Sequence, residues 1–90
     1  MRRVHVFIHG MVHGVFFRAN IQRKAIELDV TGYAKNTDDG DVECIFEGEE
    51  EDIEEMLEFC KEGPRNAQVE DVDIEDENYT GEFDNFEIRY

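Results

Sequence analysis

The 90-residue chain predicts an α+β sandwich: two helices on one face of an antiparallel sheet, in the order βαββαβ with an extra C-terminal strand. Three observations carry that prediction. Val4, Val6 and Ile8 alternate with His5, Phe7 and His9, the period of two that marks a strand buried on one face. Ile21, Ala25 and Leu28 recur at helical spacing, and so do Ile53, Met56, Leu57 and Cys60. Between these helical segments, Thr37-Asp38-Asp39-Gly40 joins two short apolar runs as a hairpin turn, with glycine at its left-handed position.

The elements follow in order. The first strand, Val4 to Ile8, runs into Gly10 and Gly14, which permit tight backbone bends. A helix is expected from about Arg18 to Asp29, with Gln22, Lys24 and Glu27 off its apolar stripe. Val30 to Asn36 and Val42 to Glu47 read as the two hairpin strands, which places Asn36 at a strand end. The second helix is expected over Glu49 to Glu62, with acids crowding its first turns and Gly63-Pro64 stopping it. Val69, Val72 and Ile74, then Phe83, Phe86 and Ile88, mark later strands with less regular alternation. This is the ferredoxin-like arrangement. It hosts RNA-binding domains, metallochaperones, regulatory domains and enzymes, so function has to be read from a site.

Composition removes several classes. No apolar run approaches the roughly 18–20 residues of a membrane span, and no basic segment with an apolar core opens the chain, so a soluble, cytoplasmic protein is expected. Cys44 and Cys60 are the only cysteines. They lack the paired spacing of a zinc site and are expected to pack as buried thiols. The absence of serine excludes a serine triad. His5, His9 and His13 are four apart, a metal-binding spacing on a helix. Here the alternation says strand and Gly10 and Gly14 break any helix, so no metal is expected.

The formal net charge is −15, but it is unevenly placed. Residues 1–36 hold six Lys and Arg against two acids, whereas residues 37–90 hold three against 22. Such a protein repels nucleic acid, membranes and anions in general. A basic island on it points to one small local anion site and a small anionic ligand, with no nucleic-acid or membrane partner. The acid-rich surface, with only three lysines, is similar to that of cytoplasmic proteins from salt-accumulating halophiles.

The stretch Gly10-Met11-Val12-His13-Gly14-Val15-Phe16-Phe17-Arg18 is what a phosphate-binding turn between strand and helix needs. Successive backbone N–H groups at a helix start cradle an anion, and an arginine adds bidentate bonds to phosphate. Gly32-Tyr33-Ala34-Lys35-Asn36, with Gly40, Val42 and Gly48, forms a second pattern. Together the two resemble the acylphosphatase family. That family carries glycine-x-valine-glutamine-glycine-valine-x-aromatic-arginine, matched here with His13 in place of glutamine. The resemblance implies metal-independent hydrolysis of the carboxyl–phosphate bond of small acyl phosphates by a monomer without cofactor. It further implies that Arg18 binds the phosphoryl group with backbone N–H groups from His13, Gly14, Val15, Phe16 and Phe17, and that Asn36 orients water. His13 keeps its N–H; its side chain either faces solvent or, when protonated, adds positive charge near phosphate. Phe16, Phe17 and Tyr33 are expected to pack around the loop. A rival from another class is a non-catalytic regulatory module binding an anionic metabolite. Such a module needs the arginine but not the amide of Asn36, which separates the two.

The charge count makes its own prediction. Twenty-two acids in residues 37–90 repel one another, and the Debye length shrinks from about 30 Å at 0.01 M salt to about 3 Å at 1 M. Stability followed by circular dichroism over a potassium chloride series should therefore rise with salt, while KM for an anionic substrate worsens modestly. Full stability in dilute buffer would contradict it.

Overall fold

The structure is a computed structural model that describes residues 1–12, 15–63 and 67–90, Val15 by its backbone only. Its elements are β1 (Arg2–Met11), α1 (Val15–Glu27), β2 (Thr31–Asn36), β3 (Val42–Gly48), α2 (Glu50–Glu62), β4 (Gln68–Glu77) and β5 (Phe86–Arg89). The sheet order is β4-β1-β3-β2-β5. The first four strands are antiparallel neighbours, as expected. The extra C-terminal strand departs from that pattern: β5 runs parallel to β2, from Gly32 beside Phe86 to Lys35 beside Arg89. A strand that follows an edge strand and joins the opposite edge must cross the sheet first, and the direction in which it arrives fixes its polarity.

Val4, Val6 and Ile8 of β1 are fully buried beneath Phe17, Ile21 and Ala25 of α1 and Ile53, Met56, Leu57 and Cys60 of α2. Both helices therefore lie on one face. Each of the Val, Ile, Leu, Phe and Met side chains among these, taken out of water, contributes roughly 1.5–3 kcal/mol. Both cysteines are free and buried in this layer. Burial pushes the Cys60 thiol up to about 12, and Cys44 also lies well above the ordinary thiol value. They are core thiols, held protonated.

Glu50, Glu51 and Asp52 fill the first turn of α2, where the helix dipole favours negative charge. Gly63 ends the helix at φ +75°, its N–H donating to the Phe59 carbonyl at 2.8 Å. Pro64, the other half of the expected stop, lies outside the described residues. Phe83 belongs to no strand; it sits in the 78–85 segment that links β4 to β5. The first helix begins at Val15, three residues before the expected start.

The other face of the sheet is polar and closely paired. Arg3, on the row next to Glu47 and Glu77, bonds both carboxylates. His5 meets Glu43 at 2.7 Å and Glu77 at 3.3 Å. His9 meets Asp41 through Nδ1 and Asp73 through Nε2, each at 2.8 Å. Two carboxylates on the two ring nitrogens demand that both nitrogens donate, so the ring is an imidazolium stitching β4 to the end of the β2–β3 turn.

The Asp73 and Asp41 hydrogen bonds raise the His9 pKa above 6.5. The stabilisation is thus complete below about 6.5, the value of the unfolded chain, and is lost as pH climbs through the raised folded value. The stability advantage of wild type over His9→Gln should be largest near pH 6 and fade toward pH 9. Chemical denaturation of both proteins across that range checks it; an advantage that stays constant with pH would show that the ring is not held charged.

Candidate active site

The site begins where β1 leaves the sheet. Its pairing with β4 shifts register between His9 and Gly10, and Gly10 has φ +129°. A Cβ at Gly10 would overlap the Gln68 carbonyl oxygen, so only glycine allows this approach. Past the bulge Gly10 and Met11 stay paired with β4, Val12 anchors the chain by burial, and α1 starts at Val15. His13 and Gly14 lie outside the described residues. Val15, Phe16 and Phe17 are in the first helical turn, not in a loop as expected. That correction keeps their chemistry: the first four N–H groups of a helix have no partner within it, and no acid stands in this turn to compete for an anion. Phe17 is buried in the core, whereas Phe16 is 67% exposed and does not pack as expected.

Arg18 is also in this turn and is only 4% exposed. Its Nη1 donates to the Arg89 carbonyl at 3.1 Å, and its guanidinium lies 4.8 Å from the centre of the Tyr90 ring. Its Nε is buried and has no hydrogen-bond partner among the described residues. Nor does any acid among them form an ion pair with Arg18, in a chain of 24 acidic residues. By contrast, Arg2, Arg3 and Lys24 each hold carboxylates. The expected basic island is therefore dispersed. Much of its charge is neutralised elsewhere, whereas Arg18 is buried without an ion-pair partner among the described residues.

Asn36 ends β2 opposite Val42. The turn after it is fixed by Thr37 N–H to the Asp41 carbonyl, Gly40 N–H to the Thr37 carbonyl, and Asp41 N–H to the Thr37 hydroxyl. Asn36 Oδ1 is buried and, like Arg18 Nε, unpartnered among the described residues. The parallel pairing brings the two residues to one neighbourhood: Arg18 is bonded to Arg89, Arg89 lies beside Lys35, and Asn36 follows Lys35. A buried donor and a buried acceptor, each costly to leave unpaired, thus share one end of the sheet. This pair can hold an anion with the one and a water proton with the other.

Tyr33 lies on the opposite face, beneath the Arg89 guanidinium and 6.0 Å from Phe83, rather than around the loop. Among the described residues no three side chains converge as metal ligands. His5 and His9 are engaged with carboxylates on that opposite face. Arg89 and Tyr90, which hold Arg18, carry no local sequence signal; only the pairing of β5 with β2 reveals them.

A family model described as acylphosphatase matches residues 4–88. An acylphosphatase of Syntrophus aciditrophicus is 44% identical over 90 residues, covering 100% of this chain and 94% of that protein. One from Haloarcula marismortui is 47% identical over 88 residues, covering 98% and 96%. The crystal structure of acylphosphatase from Bacillus subtilis superposes with a TM-score of 0.94 at 31% identity, covering 100% of each chain.

Proposed function

This chain belongs to the acylphosphatase family and hydrolyses acyl phosphates, and we propose that Arg18 holds the phosphoryl group while Asn36 places the attacking water. The observation that carries this is the pair of buried, unpartnered atoms: a cationic donor at Arg18 Nε and a neutral acceptor at Asn36 Oδ1. Nη1 is committed to the Arg89 carbonyl. That leaves the edge formed by Nε and Nη2, which presents two parallel N–H groups to two phosphoryl oxygens.

The reaction breaks the bond between phosphorus and the carboxyl oxygen. The bonding pair leaves with the carboxylate, a stable anion that needs no proton from the enzyme. Water forms the new bond to phosphorus from the opposite side, and the proton it sheds passes to a phosphoryl oxygen and from there to solvent. Arg18 and the first-turn N–H groups of α1 stabilise charge on the phosphoryl oxygens as it passes through the transition state. Asn36 Oδ1 accepts one water hydrogen bond and so aims the oxygen lone pair at phosphorus. An amide is too weak a base to take the proton, and positioning is its contribution.

A module that only binds an anion gains nothing from a buried acceptor beside the arginine, which favours the hydrolase. The chain's chemistry requires neither metal nor cofactor. No helix of the described residues is long and apolar enough to cross a membrane. We assign the protein to the cytoplasm as a monomer acting on small acyl phosphates, with an acidic surface suited to high salt.

Arg18→Lys should lower kcat/KM by about 10²-fold or more and weaken competitive inhibition by inorganic phosphate, because an ammonium cannot reproduce the fork. Asn36→Ala should lower kcat to a similar extent, roughly 10²-fold, yet leave phosphate inhibition nearly intact. Steady-state kinetics on a simple aryl acyl phosphate separates the roles. Equal loss of phosphate affinity in both variants would refute this division, and a near wild-type rate for Arg18→Lys would remove Arg18 from the site.

A further inference from the structure

We propose that Glu47 is a positioning residue for this site: its buried carboxylate pins the 78–85 strap, and the strap fixes the β5 carbonyl that holds Arg18. The proposal rests on the assignment of Arg18 to the phosphoryl group. β4 and β5 lie at opposite edges of the sheet, so the eight residues between them must cross β1, β3 and β2. They do so over the face away from the helices, at the Glu47 end.

Glu47 is 1% exposed. Its Oε2 accepts from the Thr80 N–H, the Thr80 hydroxyl and Arg3 Nη1, each at 3.1 Å. Arg3 in turn holds Glu77 at 2.8 Å, where the strap begins, and Glu82 at 2.7 Å, near its end. Phe83 then lies under the guanidinia of Arg3 and Arg89 and beside Tyr33. The strap finishes with the Asn85 carbonyl accepting from the Gly32 N–H at 3.1 Å, which starts the parallel register of β5 on β2. At the other end of that register stands the Arg89 carbonyl.

A one-residue slip of β5 would carry that carbonyl about 3.3 Å along the strand and take Arg18 out of reach of it. Glu47 faces Thr31 across the β2–β3 ladder, five residues from Asn36, so it acts from roughly 16 Å away. Its other oxygen, Oε1, is buried without a partner among the described residues. A buried carboxylate with one unpartnered oxygen is a poor source of net stability. What the carboxylate supplies is the location of Thr80 and Arg3.

The test compares Glu47→Ala, Glu47→Gln, Thr80→Val and Arg18→Lys in the full chain, by phosphate inhibition, kcat and KM, with folding checked by circular dichroism. In folded Glu47→Ala, KM and the phosphate inhibition constant should rise together by about tenfold, the scale of a small misplacement of a binding group. Glu47→Gln, whose amide oxygen still accepts from Thr80, should recover most of the loss. Unchanged phosphate affinity in folded Glu47→Ala, or a glutamine variant no better than alanine, would overturn the proposal. Should Glu47→Ala fail to fold, Thr80→Val decides: a several-fold loss of phosphate affinity supports the strap, and none overturns it. Normal phosphate affinity in Arg18→Lys would overturn the site assignment and this proposal together. Loss there with none in the Glu47 and Thr80 variants would overturn the strap alone.

Discussion

A guanidinium that is 4% exposed and forms no ion pair among the described residues is the constraint around which the rest of this molecule is arranged. Burying such a charge costs several kcal/mol unless hydrogen bonds and an opposite charge offset it. The fold supplies one carbonyl and one aromatic face, and in the proposed assignment the phosphoryl anion supplies the remainder. The bulge at Gly10 precedes α1, α1 carries Arg18 inward in its first turn, and β5 brings the carbonyl. A carboxylate partner would have satisfied the arginine permanently and closed the site. Withholding one, in a chain with 24 acids, leaves the pairing to the substrate on the assignment proposed for Arg18.

The two faces of the sheet solve different problems. On the helix side, β-branched and aromatic side chains bury apolar area and make the platform rigid. On the other side, Arg3, His5 and His9 of β1 are threaded between carboxylates of β3, β4 and the β2–β3 turn. The acids that load β4 also shield an edge strand, whose unpaired backbone groups would otherwise invite another chain. The strap belongs to this polar face, and through β5 it reaches the site on the far end. Local ion pairing is in this way connected, through the proposed strap, to the geometry around Arg18.

Sequence legibility followed the range of the interactions. The alternation of Val4, Val6 and Ile8 and the stripe Ile53, Met56, Leu57 and Cys60 were readable because each depends on a local period and one apolar face. The position of Asn36 at a strand end followed from the turn that Gly40 closes. The start of α1 was misplaced because Phe16 and Phe17 look like loop packing, whereas one is exposed and the other joins the core from the first turn. Phe83 resembled a strand residue, yet it serves the strap. The parallel docking of β5, and with it the roles of Arg89 and Tyr90, joins residues more than 50 positions apart and leaves no periodic trace. Arg18 and Asn36 themselves are assigned through motif resemblance; what the structure adds in support is a buried, unpartnered atom on each.

The measurement closest to the central claim is a titration of the protein with inorganic phosphate, watched through the arginine Nε–H resonances by nitrogen-15 NMR. The account predicts that the Arg18 Nε–H moves downfield and exchanges more slowly with water as phosphate saturates, because its unpartnered donor gains a charged acceptor. An Arg18 resonance that stays in place while another arginine responds would contradict it.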